Sequence, residues 1–373
     1  MRVCFVVPEI FHWGKHGGFG RLTRTIGREL AKRDVEVFVV TPREEKGGQK
    51  AIEKLDGMTV LGYPKFKNTP SRTIRAVFRR MKAIQFFELA DADVYHSESA
   101  TIDSYVALKA MPNRKHMVTF QDPYDFEAFR KMSLVDPSYR LGFGGKLRYR
   151  LTNHIIKRYC KKADGIYSQA KYLGSKVKKM YDLERDIGWL PNPIEICDRR
   201  VEKDKEPTVC FLARWDAQKR PEIFFNLAKQ FPEVNFIAMG KAHDEKRDSR
   251  LRNKYSHIPN LRLTGFVSQK EKEEILDRSW IMINTSVREA LPVAFLEALV
   301  HKTAILSSEN PDGIAKNFGF HVTKGDFVKG LKWLLNEERW KSRGERGYRY
   351  VKKFHEKEKV IDLHLKTYRQ ILE

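Results

Sequence analysis

Cysteine is scarce in this chain and scattered. Cys4, Cys160, Cys197 and Cys210 lie far apart, at no metal-ligand spacing and in no disulfide framework. They read as reduced thiols of a cytoplasmic protein. Long apolar runs are absent too, and nothing approaches the ~18 residues of a membrane-spanning helix. The apolar start, Met1 to Pro8, is too short for a signal peptide and reads as a first strand. The histidines show no ligand spacing, so no metal site is expected. There is no low-complexity tract and no short repeat. Acidic residues are too few to balance the basic ones: 48 Asp and Glu stand against 71 Lys and Arg, a formal charge of +23. Most of that excess precedes residue 200. Such a field attracts phosphate on nucleic acid, anionic lipid or a nucleotide, and does not choose among them. No helix-turn-helix, aromatic RNA platform or zinc finger stands out, so no specific nucleic acid is expected. A basic nucleic-acid-binding protein is the rival reading from another class.

What is present is an alternation of short β-branched runs and amphipathic helices. Strands are expected at 3–7, 35–40, 94–96, 117–120 and 165–168, with helices at 21–32 and 153–162. A second series begins at 208–213. It continues with strands at 235–239, 261–265, 280–284 and 303–307, and helices at 221–230, 270–279 and 292–300. Two successive β/α series in 373 residues imply two parallel-sheet, Rossmann-like domains. The expected division is 1–197 and 198–356. Ligands of doubly wound sheets sit at the carboxyl ends of strands, so functional residues should come from the loops that follow them.

Three such loops carry chemistry. Ser286-Val287-Arg288-Glu289-Ala290-Leu291-Pro292-Val293 leads from a strand into a helix that contains Glu297. Pro292 suits the first helical position, and the free N–H groups from Val293 onward suit a phosphate. Glu289 and Glu297, on either side of a bound diphosphate, could each accept hydrogen bonds from sugar hydroxyls. The plainer alternative is a helix with one solvated and one paired glutamate. Phe211-Leu212-Ala213-Arg214-Trp215-Asp216-Ala217-Gln218-Lys219 puts a forked cation and a point cation at a strand–loop–helix turn. Both would stabilise a departing diphosphate. The alternative is a basic surface loop. Gly17 and Gly18, in the loop after the first strand, would let backbone N–H groups approach a phosphate. The spacing is not G-x-G-x-x-G and the second strand ends Val40-Thr41-Pro42-Arg43, so a nicotinamide cofactor is not expected.

In this order, the three segments resemble the retaining glycosyltransferases of family 4, which have the GT-B fold: two Rossmann-like doubly wound domains facing an interdomain cleft. Glu289-x7-Glu297, the Arg214/Lys219 pair, Gly17-Gly18 and Pro191-Asn192-Pro193 carry the likeness. The resemblance implies that Glu289 contacts the donor sugar, Glu297 the ribose, and Arg214 and Lys219 the phosphates. Gly17, Gly18, Leu291 and Val293 complete the donor site, and the final segment 357–373 returns to the first domain. Gln121 stands where the family commonly has a histidine that reaches the donor sugar. It can hydrogen-bond a hydroxyl but cannot take a proton. Arg220 replaces the family's glycine after the lysine.

The implied activity is transfer of a hexose from a UDP- or GDP-sugar to a glycan or lipid-linked acceptor, with no metal and no cofactor. An epimerase or phosphorylase of the same fold is the alternative. Asp91-Ala92-Asp93 mimics a metal-binding Asp-x-Asp but reads as a cap or turn, and His96 as a structural histidine more than an acceptor-site base. Segment 69–90, with Arg72, Arg75, Arg79 and Arg80 among apolar residues, reads either as a core-packed helix with a solvated basic face or as a peripheral contact with anionic membrane.

Overall fold

Parallel strands covered on both faces need apolar side chains at every position. β1 (Arg2–Val6) buries all four residues after Arg2. With it come β2 (Glu36–Arg43), β3 (Ile52–Leu55), β4 (Met58–Pro64), β5 (Val94–Ser97), β6 (Lys115–Phe120), β7 (Gly165–Ser168) and β8 (Gly188–Trp189). The sheet order is β3-β4-β2-β1-β5-β6-β7-β8, parallel throughout except for the β3–β4 hairpin. A second sheet contains β9 (Thr208–Leu212), β10 (Asn235–Met239), β11 (Leu261–Gly265), β12 (Ile281–Asn284), β13 (Ala304–Ser307) and β14 (Gly319–His321). Its order is β11-β10-β9-β12-β13-β14, all parallel. The computed structural model describes residues 1–10, 18–43, 48–64, 83–196 and 200–373.

Both sheets are α/β and doubly wound, and each reverses strand order beside its first strand. The reversal lies between β1 and β5 in one sheet and between β9 and β12 in the other. In open α/β sheets ligands bind outside the carboxyl ends of the strands at such a point.

The chain divides into two compact units. One contains Met1–Pro123, Leu141–Pro193 and Lys357–Glu373, the other Tyr124–Arg140 and Ile194–Glu356. The division expected at residue 197 falls just outside the described residues, and the units part at Pro193/Ile194. Tyr124–Arg140, which the sequence reading placed in the first domain, belongs with the second unit. Its Tyr124 ring lies 4.0 Å from the Arg288 guanidinium and packs on Phe129 and Tyr139.

In the first unit, Ile361, Leu365, Tyr368 and Ile371 of the helix Lys357–Leu372 join Val3, Phe5 and Val37 in one core. The second core is rich in aromatics, with Phe211, Trp215, Phe224, Phe225 and Phe236 fully or nearly buried. Near the start of that unit the Lys203 ammonium donates to the carbonyls of Ser279 (2.5 Å) and His301 (2.6 Å) and to Thr303 Oγ1 (2.9 Å). One side chain thus ties together the ends of two helices.

Candidate functional site

In the second unit, the loops that follow β9 and β12 leave the switch point side by side, and hydrogen bonds lace them together. Val287 N–H donates to the Gln218 carbonyl (2.9 Å), and Gln218 Nε2 to the Arg288 carbonyl (3.1 Å). Thr285 Oγ1 donates to the Lys219 carbonyl (2.6 Å), and Arg220 Nε to the Thr285 carbonyl (2.6 Å). Arg220 holds φ 46°, a left-handed conformation that favours glycine. Its guanidinium offsets that strain by also reaching Ser308 Oγ at 3.2 Å. A glycine elsewhere keeps the β9 loop in place. Gly240 has φ 118°, and a Cβ there would meet the Ala213 carbonyl oxygen at 2.1 Å.

Lys219 and Glu289 come together on this laced platform. Lys219 Nζ lies 2.5 Å from Glu289 Oε1. The same oxygen accepts from Ser286 Oγ (2.6 Å) and Asn284 Nδ2 (3.3 Å). The side chains of Lys219 and Glu289 are 16% and 9% exposed, so this is an ion pair largely removed from water. Burial pushes the Glu289 carboxyl up, but the Lys219 charge and the three hydrogen bonds outweigh it and hold the group below the ordinary carboxylate value. Glu289 is therefore an anion, and the Lys219 ammonium is fixed beside it.

Arg214 has other partners. Its guanidinium pairs with Asp216 (3.0 Å), donates to His243 Nδ1 (2.8 Å), and is half exposed. Asp216 lies two residues on in the same loop, while His243 comes from another part of the chain.

Glu297, on the helix Val293–Val300, forms an ion pair with Lys272 from the helix Gln269–Arg278. Both glutamates are thus paired, and neither is the solvated one of the plainer alternative. Pro292 sits at the N-cap, one position earlier than expected, so Val293 opens the helix and no side chain caps it. Leu291 is 3% exposed. Its side chain packs into the protein, which leaves its backbone as the part able to meet a ligand.

In the first unit, Gln121 follows β6 and is buried. Its Nε2 donates to Glu98 Oε2 (2.7 Å), and its Oε1 accepts from Asn192 Nδ2 (3.1 Å). Asn192, from the Pro-Asn-Pro segment, also donates to Gln169 Oε1 (2.5 Å). Gly18 is the first residue of the helix Gly18–Ala31, with open space where a side chain would stand. Gly17 lies outside the described residues, as does 69–82 of the basic segment.

His96 is fully buried. Its ring nitrogens meet Tyr368 Oη and Thr119 Oγ1, each at 2.8 Å, and burial lowers its pKa well below the usual value. That is a structural histidine. Asp91 caps the helix Ile84–Ala90 at φ 37° and pairs with Arg114 (2.6 Å), while Asp93 accepts from the Arg2 backbone N–H (2.7 Å). Asp-x-Asp here is a cap and turn.

Comparison with known proteins agrees with this architecture. The family model described as Glycosyltransferase Family 4 matches residues 16–196, and that described as Glycosyl transferases group 1 matches residues 195–352. A curated relative, glycosyltransferase 1 domain-containing protein 1 of Xenopus tropicalis, is 24% identical over 192 residues. That alignment spans 48% of this chain and 52% of the relative, about half the length of each. Among solved structures, sucrose-phosphate synthase from Thermosynechococcus elongatus superposes with a TM-score of 0.77 at 12% identity, over 99% of this chain and 98% of the other. Anabaena HepE in complex with UDP-glucose gives 0.71 at 12% identity, over 99% and 100%. The catalytic domain of starch synthase IV from Arabidopsis thaliana, bound to ADP and acarbose, gives 0.67 at 11% identity, over 99% of each. At these identities the superpositions speak for the fold, and the family models for the lineage. The chain belongs to the glycosyltransferases of GT-B fold, with its first half in family 4 and its second in group 1.

Proposed function

We propose that the protein transfers a hexose from a UDP- or GDP-sugar to a glycan or lipid-linked acceptor, with retention at the anomeric carbon and without a metal or cofactor. The observation that carries this is the Lys219–Glu289 ion pair, which sits where the loops of β9 and β12 leave the switch point. A nucleoside diphosphate leaving group needs its growing charge met by fixed cations, and Lys219, with Arg214 nearby in the same loop, is suited to that. Backbone N–H groups at Val293 would add the dipole of a helix start. Glu289 and Glu297 would accept hydrogen bonds from hydroxyls of the sugar and the ribose. In the reaction, the acceptor oxygen bonds to the anomeric carbon as the bond to the diphosphate breaks. The acceptor's proton passes to the leaving phosphate oxygen, so no strong protein base is required. HepE with UDP-glucose and starch synthase with ADP are known in complex with ligands of this class, which supports the donor assignment.

Peripheral contact with anionic membrane belongs to the same reading, now on a described helix. Phe143–Lys162 contains Lys146, Arg148, Arg150, Lys157, Arg158, Lys161 and Lys162 and no acidic residue. Phe143, Leu147 and Leu151, spaced four apart on one face, are 87%, 50% and 54% exposed. Apolar anchors on a helix with this surplus of cations match an anionic bilayer. A second copy of this face would repel it.

The test is turnover of UDP-glucose, GDP-mannose and ADP-glucose by the wild-type chain, with the anomeric configuration of the product read by NMR. Retention with one donor, unaffected by EDTA, is expected. Inversion, a chelator-sensitive rate, or isomerisation of donor alone would overturn the proposal.

A further inference from the structure

Four carboxyl or carboxamide side chains line the carboxyl edge of the first sheet, one from each of four adjoining strands. Glu98 follows β5, Gln121 follows β6, Gln169 follows β7 and Asn192 comes shortly after β8. All four are 1–4% exposed. Gln121, Asn192 and Gln169 close a ring: Asn192 Nδ2 donates to both glutamine Oε1 atoms, and Gln169 Nε2 donates to the Gln121 carbonyl (2.6 Å). Glu98 ends the row. Its Oε2 receives the Gln121 amide, while its Oε1 is buried with no partner among the described residues.

A buried carboxyl with one orphaned oxygen is a costly way to fill space. What it secures is the direction of an amide. Turned over, Gln121 would face its NH2 to the NH2 of Asn192 and its oxygen to the Glu98 carboxylate, two mismatches at once. With Glu98 ionised, only one orientation of Gln121 is satisfied.

We infer that Glu98 is a positioning residue that fixes the Gln121 amide in one orientation, so that Gln121 presents a set donor and a set acceptor to the donor sugar. This rests on the reading of Gln121 as a sugar contact. Glu98 itself does not touch the sugar. The orientation is secure only while Glu98 is an anion, because a protonated Glu98 has a hydrogen to donate and accepts a turned amide equally well. Burial, opposed by the Gln121 hydrogen bond, raises the Glu98 carboxyl to about 7. Tyr368, on the helix Lys357–Leu372, is near enough to feel the Glu98 charge, and His364 of that helix and His96 of β5 pack on its ring. Burial keeps that phenol and both imidazoles uncharged, so none of them supplies a counter-charge.

The experiment compares wild type, Glu98→Ala and Glu98→Gln for UDP-glucose turnover and for UDP binding by thermal shift, from pH about 5 to about 9. GDP-mannose and ADP-glucose serve as further probes, with GDP and ADP as their references. Glu98→Ala is expected to raise KM for the sugar nucleotide about tenfold while nucleoside diphosphate affinity stays within about twofold, since only a sugar contact is lost. Glu98→Gln accepts from Gln121 but, like a protonated Glu98, also has a hydrogen to donate to a turned amide. Its KM should sit at every pH near the raised value that wild type approaches as pH falls below neutrality. If Glu98→Ala does not fold, the pH profile of Glu98→Gln decides. Equal losses of diphosphate and sugar-nucleotide binding, or a pH dependence retained in Glu98→Gln, would overturn the inference. Wild type that responds to a donor, with both variants indistinguishable from it, would overturn this inference alone. Wild type that responds to none of the probes would overturn the glycosyl-transfer reading and this inference with it.

Discussion

Lys219 and Glu289 stand 70 positions apart in the chain, yet their charged atoms meet at 2.5 Å because β9 and β12 are neighbours and each residue lies on the loop leaving its strand. The pair is shielded from water, so removing either charge strands the other. Lys219→Met or Glu289→Leu alone should destabilise the protein by about 3–5 kcal/mol, and the double variant Lys219→Met/Glu289→Leu should recover most of that. Transfer should fall at least about 10²-fold in all three, the double variant included. Denaturant titration beside turnover checks this. A double variant that is both stable and active would show the pair to be structural only.

Arg220 gives a sharper test of the loop. Arg220→Ala keeps the left-handed backbone and removes the donors to Thr285 and Ser308, so it should cost about 1–3 kcal/mol. Arg220→Gly loses the same donors but relieves the strain, and should be more stable than Arg220→Ala by about 1 kcal/mol. Melting temperatures in the reverse order would contradict the assignment of strain to that residue.

Acid sensitivity should trace to buried histidine. Burial lowers the His364 imidazole to about 3, and the unfolded chain regains the ordinary value near 6.5. Between those values the unfolded state binds the extra proton. The stability is therefore fully present above pH about 6.5 and is lost as pH falls toward about 3. Denaturation of His364→Gln at neutral and mildly acidic pH should show a shallower loss than wild type. An unchanged slope would place the acid sensitivity elsewhere.

Membrane contact is read most directly with vesicles. Wild type should co-sediment with phosphatidylcholine vesicles that contain phosphatidylglycerol and not with phosphatidylcholine alone. Phe143→Ser/Leu147→Ser/Leu151→Ser should lose at least about tenfold in affinity at unchanged charge. Binding by that triple variant equal to wild type would mean that charge alone acts, and the apolar stripe would have no such role.

The two sheets were legible because their strands are short apolar runs, and β9 to β13 fall within a residue or so of expectation. The hairpin β3–β4 was overlooked, although Asp56-Gly57 at φ 48° and 83° is a strong two-residue turn signal. The helix Phe143–Lys162 begins ten residues before its expected start, because Gly144 and Gly145 lower local propensity without breaking a helix that packs through Ile156, Tyr159 and Cys160. Glu289, Lys219, Glu297 and Arg214 were readable from spacing. Lys272, the partner of Glu297, and His243, a partner of Arg214, were not, since they come from other elements that no local pattern encodes. Ser286 was the exception in principle: three residues before Glu289, it lay within reach of a hydrogen bond along the same loop.

The most direct measurement is a crystal structure of the protein soaked with UDP, and with GDP if UDP leaves no density. The predicted result is a diphosphate with an oxygen about 3 Å from Lys219 Nζ and another at the backbone N–H of Val293, with Glu289 still an anion beside it. A nucleotide seated elsewhere, or a saturated crystal in which Lys219 and Glu289 remain paired with no phosphate between Lys219 and the helix start, would contradict it.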